Sequence, residues 1–150
     1  MSGETDLIKL YSSRILALAA DIPHVGRLEA PDGSVRKRSP LCGSTVPVDV
    51  TTDGGKITEF AQEVKACALG QASAAVLGEA VVGCTRDQVD KARDQMYAML
   101  KEGGPVPDAP FSDLEVLQPA RDYKNRHASI LLALDATSEA VAQAEQANCA

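Results

Sequence analysis

At Cys67 the spacing of apolar residues along this 150-residue chain changes period, and no other feature constrains the fold as strongly. Before it, Val46, Val48 and Val50 alternate with Thr45, Pro47 and Asp49, the period-two pattern of a half-buried strand. After it, Leu69, Ala72, Ser73, Val76, Leu77, Ala80 and Val81 recur at helical spacing and end at Gly83. A chain with its strands first and its helices after is expected to be an α+β domain. About three strands form a small antiparallel sheet, packed by helices on one side.

The flanking elements follow from local chemistry. Leu7, Tyr11, Ile15 and Leu18 share one helical face, which Asp21-Ile22-Pro23 ends. The turn APDGSV leads into a short polar strand over 34–39. Pro47 cannot donate to a ladder, so its strand is expected at a sheet edge or with that position facing outward. TTDGGK makes a hairpin turn into a strand of about Lys56 to Ala66, where Ile57 and Phe60 differ in parity and imply a bulge. Thr85 to Gln88 is a capping box for a helix with the stripe Val89, Ala92, Met96, Met99 and Leu100, stopped by Gly103-Gly104-Pro105. A second capping box, Ser112 to Glu115, opens a short helix that Pro119 ends. A last helix runs from near Arg121 to about Ala144, with Tyr123, His127, Ile130, Leu131 and Leu134 on one face. No linker or repeat divides the chain. One domain is expected over 1–150, with its core at about 5–145.

Charge and composition exclude several roles. With a net charge of -6, neither nucleic acid nor a membrane surface is an expected partner. Aromatics are only 3% and Trp is absent, so the core must come from Ala, Val, Leu and Ile, and base-stacking platforms are lacking. The run ILALAA is too short for a secretory h-region, and no apolar run nears the ~20 residues of a membrane span. The expected location is cytoplasmic, with reduced thiols. Arg36-Lys37-Arg38 reads equally as a solvated face or a local basic patch.

Three residues could carry chemistry. Cys67 stands where a strand gives way to a helix N-terminus, whose free N–H groups and dipole stabilise a thiolate. Cys42 precedes Gly43 ahead of the alternating strand. His127 lies on the apolar face of the last helix, with Arg121, Lys124 and Arg126 nearby to lower a thiolate pKa or balance an anion. Position alone leaves the bland alternatives open: a buried structural cysteine, a core histidine with a satisfied ring, and cations facing solvent. The three have no local metal-ligand spacing. There is no GxGxxG, GxxxxGK[ST] or GxSxG. Cys84 and Cys149 read as incidental.

The order PLCGS, strand, DGGKI, strand, VKACALGQASAAVLGEAVVG resembles the IscU/NifU N-terminal/SufU scaffold proteins of iron–sulfur cluster assembly. Cys42-Gly43 matches the family's first cysteine motif, and Cys67 with ALGQAS matches the second. DLEVLQPARDYKNRHASILLALDA resembles its short helix and following helix, with His127 on the place of the third cysteine. The likeness covers roughly Leu10 to Ala136. It departs at Ser44, where the family has aspartate, and at ARDYKNR, where the IscU branch carries a chaperone-binding Leu-Pro-Pro-Val segment. That chaperone is therefore not an expected partner.

The resemblance implies a carrier rather than an enzyme. It would hold a [2Fe–2S] cluster or iron on Cys42, Cys67 and His127, with Ser44, Arg126 and Lys124 around the ligands. A cysteine desulfurase would supply sulfur, and apo iron–sulfur proteins would be the clients. Replacing thiolate by imidazole, and aspartate by serine, removes negative charge and a hard oxygen ligand, so cargo would be held differently. Two other readings stay open: a zinc-bound sulfur acceptor of the desulfurase, and a metal-free module that keeps only the fold.

Overall fold

The computed structural model describes residues 12–40 and 43–149. Three strands, β1 (Gly33–Arg38), β2 (Thr45–Asp53) and β3 (Lys56–Gln62), form an antiparallel sheet in the order β1-β2-β3. The α-helices are α1 (Ser13–Ala20), α2 (Ala68–Ala80), α3 (Arg86–Glu102) and α4 (Lys124–Cys149), with a 3-10 helix over Ser112–Asp122. The expected α+β architecture is present. Leu7 and Tyr11 of the expected first stripe lie outside the described residues. Its remainder is the short α1, capped by the Ser12 hydroxyl on the Ile15 N–H at 3.3 Å, with Ile15 wholly buried.

Val46, Val48 and Val50 face the core, as their alternation requires. Pro47, however, sits in the central strand rather than at an edge. Its carbonyl accepts from the Glu63 N–H at 3.1 Å, and it has no N–H to return. The β2–β3 ladder therefore stops at Val48 and Gln62 and resumes as an isolated bridge between Thr45 and Lys65. This also ends β3 earlier than the expected Ala66. The bulge is real: Thr51 pairs with Glu59 and Thr52 with Ile57, so Thr58 is skipped and Ile57 and Phe60 both turn inward.

The α2 residues are buried almost all round, from Leu69 to Gly78 with Gln71 half-buried, rather than on one stripe. The helix lies between α1, α4 and the 3-10 helix, so a one-sided pattern would leave polar groups in the core. Thr85 and Gln88 form the expected capping box, and the α3 stripe is buried. The second capping box does not form. Helical geometry already starts at Ser112, whose hydroxyl caps nothing, and the tighter 3-10 turns carry Pro119 within them. Phe60, Phe111, Met96 and Met99 join the aliphatic residues in the core.

The last helix crosses β1 and β2 and also packs on α2 and α3. A methyl group at Gly33 would lie 2.0 Å from the Ala140 carbonyl oxygen, so this glycine is what allows helix and strand backbones to touch. No described helix is long and apolar enough to cross a membrane.

Asp49 alternates outward yet is buried, because residues 25–34 fold over it. Arg27 binds its two oxygens through Nε at 2.8 Å and Nη2 at 3.0 Å. The Ser34 hydroxyl donates at 2.6 Å and the Leu28 N–H at 3.0 Å. Burial raises the Asp49 pKa, but the bonds from Arg27, Ser34 and Leu28 outweigh it and hold the carboxyl below its ordinary value. A lowered folded pKa adds stability that is present above the unfolded value and lost as pH falls through the folded one. Asp49→Asn is expected to cost about 2–3 kcal/mol near neutrality. The gap to wild type should narrow below about pH 4, as followed by urea unfolding from pH 7 to pH 3.

Candidate functional site

The loop between β1 and β2 is closed at its neck by two backbone bonds, Ser39 N–H to Ser44 O and Gly43 N–H to Ser39 O, both 2.8 Å. Gly43 takes φ +72°, a left-handed conformation that favours glycine, so the Gly of the Cys42-Gly43 pair has a backbone reason. Cys42 lies outside the described residues. Ser44 is buried and faces α4, where its Oγ is 3.3 Å from the Ser129 Oγ.

Cys67 is the N-cap residue of α2, extended in backbone (φ -67°, ψ 170°), with no side-chain capping bond. Its thiol is half-buried and its Sγ lies 3.4 Å from the Ser129 Oγ. Ser44, Ser129 and Cys67 thus converge from a loop, from α4 and from the start of α2. The sulfur stands at the N-terminal, positive end of α2.

His127 is buried in the first turn of α4, and its Nε2 lies 3.1 Å from both the Ala120 and Arg121 carbonyl oxygens. Carbonyls only accept, so this geometry puts a ring proton on Nε2. The ring closes the C-terminal end of the 3-10 helix, where the Ala120 carbonyl also accepts from the Tyr123 N–H at 2.9 Å. Arg126 is half-buried, Lys124 and Arg121 are exposed, and none makes an ion pair among the described residues. Among the described residues no three of His, Cys, Asp or Glu gather as a metal site.

Two further expectations concern residues away from this cluster. Cys84 is buried, its thiol bonded to the Ala80 carbonyl at 3.1 Å, and burial pushes its pKa up. In Arg36-Lys37-Arg38 the two arginines are exposed, while Lys37 pairs with Glu139 at 2.6 Å. The residue that sequence reasoning passed over is Ser129. Its only signal was a hydroxyl ahead of the apolar run Ile130-Leu131-Leu132, at a position that proves 3% exposed.

A three-stranded antiparallel sheet crossed by a long C-terminal helix, with a cysteine at the start of a buried helix, defines an α+β domain with a thiol on its edge. The family model of the NifU-like N terminal domain matches residues 10–148, and the chain belongs to that family. The crystal structure of a nitrogen-fixing NifU-like protein (N-terminal) from Brucella abortus shares 47% identity, at a TM-score of 0.92. The match covers 94% of this chain and 98% of that one. The iron–sulfur cluster assembly scaffold protein IscU of Streptococcus pyogenes serotype M1 is 23% identical over 124 residues, 83% of this chain and 77% of that protein. FiSufU from Fervidobacterium islandicum AW-1, proposed as a scaffold for the SUF system, reaches a TM-score of 0.80 at 22% identity. That match covers 89% of this chain and 98% of FiSufU, and it speaks for the fold alone.

Because His127 donates into the end of the 3-10 helix, His127→Ala should leave the Ala120 and Arg121 carbonyls without that donor. The expected loss is about 1–3 kcal/mol, read as a lower urea midpoint with an unchanged slope.

Proposed function

We propose that this chain is an iron–sulfur cluster assembly scaffold. It carries a [2Fe–2S] cluster or iron as cargo on Cys42, Cys67 and His127. A cysteine desulfurase is the source of sulfur, and apo iron–sulfur proteins receive the cargo. Membership of the NifU-like N terminal domain family supports this reading, as does the scaffold role in the name of the Streptococcus relative.

The observation that carries it is the placement of Cys67. Most of α2 is buried, yet its N-cap residue holds a half-buried thiol at the positive end of the helix. His127 adds a second donor of the right kind. Histidines that bind metal usually give their other ring N–H to a carbonyl or carboxylate, and Nε2 of His127 is so engaged. Thiolate and neutral imidazole together suit iron–sulfur clusters and zinc. Cys42 adjoins Gly43 in the loop whose neck carries Ser44. Ser44 offers a neutral hydroxyl beside Ser129 rather than a carboxylate.

Anaerobic reconstitution with iron and sulfide should give a visible spectrum with sulfur-to-iron absorption. Bound iron should fall by about tenfold in Cys67→Ala and in Cys42→Ala, the loss of roughly 1.4 kcal/mol of binding per site or more. The reading fails if wild type and both variants give the same featureless spectrum. Tight stoichiometric zinc that iron does not displace would turn it to a zinc-bound sulfur acceptor.

A further inference from the structure

We propose that Ser129 is a positioning residue for Cys67. Its hydroxyl donates a hydrogen bond to the cysteine sulfur, and so sets how much electron density that sulfur gives to a bound cluster. The inference rests on the scaffold reading and deepens it.

The contact joins residues 62 positions apart in the chain, at 3.4 Å, an ordinary separation for an atom as large as sulfur. It exists because α4 and α2 come unusually close. A methyl group at Gly70, in the first turn of α2, would lie 2.7 Å from the Ser129 Oγ and 3.0 Å from the Ser129 carbonyl oxygen. Any larger residue at 70 would force Ser129, or Ala66 at 2.8 Å, to shift. Ser129 itself is 3% exposed, so water competes poorly for its hydroxyl.

The direction of the bond follows from valence. A free thiol could donate to Ser129 or accept from it. A metal-bound sulfur has no proton and can only accept, so in the loaded protein the proton in this contact must come from Ser129. The lone pairs of Ser129 then remain to accept from Ser44. At 3.3 Å that second contact is long for two hydroxyls and is the weaker link. Hydrogen bonds to cluster sulfurs tune cluster potentials. A donor withdraws density from the sulfur and stabilises the cluster that has gained an electron, so Ser129 raises the potential.

The test compares wild type, Ser129→Ala, Ser44→Ala and Ser73→Ala after reconstitution with iron and sulfide, with redox titration of the bound cluster. Ser73 is the control, a buried α2 hydroxyl with no hydrogen-bond partner among the described residues. Ser129→Ala should load as much iron as wild type. Its one-electron reduction equilibrium should be about tenfold less favourable, a fall of about 59 mV. Ser73→Ala should stay within about twofold of wild type. The proposal is overturned if Ser129→Ala also stays within twofold, or if Ser73→Ala moves as far. Should Ser129→Ala fail to fold, Ser44→Ala decides: a shift of about threefold in the same direction supports the proposal, and none overturns it. If wild type takes up no cluster, the scaffold reading fails, and cadmium(II) becomes the probe. A sulfur-to-cadmium band that is lost in Cys67→Ala and moves to longer wavelength in Ser129→Ala upholds the hydrogen bond. An unmoved band, a band that persists in Cys67→Ala, or no band in wild type overturns it.

Discussion

The rest of the structure depends on how closely α4 approaches its neighbours. It meets β1 at Gly33, where an added methyl would stand 2.0 Å from a backbone oxygen, and α2 at Gly70, where it would stand 2.7 Å from a serine hydroxyl. Interiors are packed to the density of organic crystals, so a core short of aromatics fills its space only if the elements come close together. Ala72, Ala74, Ala75, Ala133, Ala136, Ala140 and Ala144 are buried for this reason. The helix that spans sheet and α2 also carries His127 and Ser129 near its start. The packing that closes the core therefore delivers those side chains to the edge where Cys67 and Ser44 lie.

Polar groups tie together segments that apolar packing alone would leave loose. Asp49 gathers Arg27, Leu28 and Ser34 and fixes residues 25–34 across the outer face of the sheet. His127 joins α4 to the end of the 3-10 helix. Gln62 gives its side-chain N–H groups to Ala74 O at 3.0 Å and Pro23 O at 3.4 Å, linking the end of β3 to α2 and to the segment after α1. Each is buried, and a buried polar group without a partner costs 1–3 kcal/mol, so each specifies one arrangement against its alternatives.

Much of the fold was legible because it rests on local rules. Alternation in Val46, Val48 and Val50, the Asp-Gly-Gly turn, the Thr85 capping box and the α3 stripe depend on neighbours within a few residues. The failures share a cause. Pro47 was expected in an edge strand or with that position facing outward, and the central strand accommodates it where the adjoining ladder is interrupted. Ser112 to Glu115 had the spacing of a capping box, yet the geometry is 3-10 and begins one residue too early. The stripe read on α2 missed burial on every side, because periodicity does not report how many elements will cover a helix.

For the site, the sequence by itself determined which groups have reactive chemistry and which turns they adjoin. Cys67 at a strand-to-helix change, glycine after Cys42 and a histidine within an apolar face are all one-dimensional facts. Only the tertiary structure decided what meets what: Ser129 at the Cys67 sulfur, Ser44 at Ser129, and the His127 Nε2 proton on the carbonyls of Ala120 and Arg121. The reason is physical. Contacts between residues 62 and 85 positions apart arise when glycines let backbones approach, and that approach is set by the packing of the whole core.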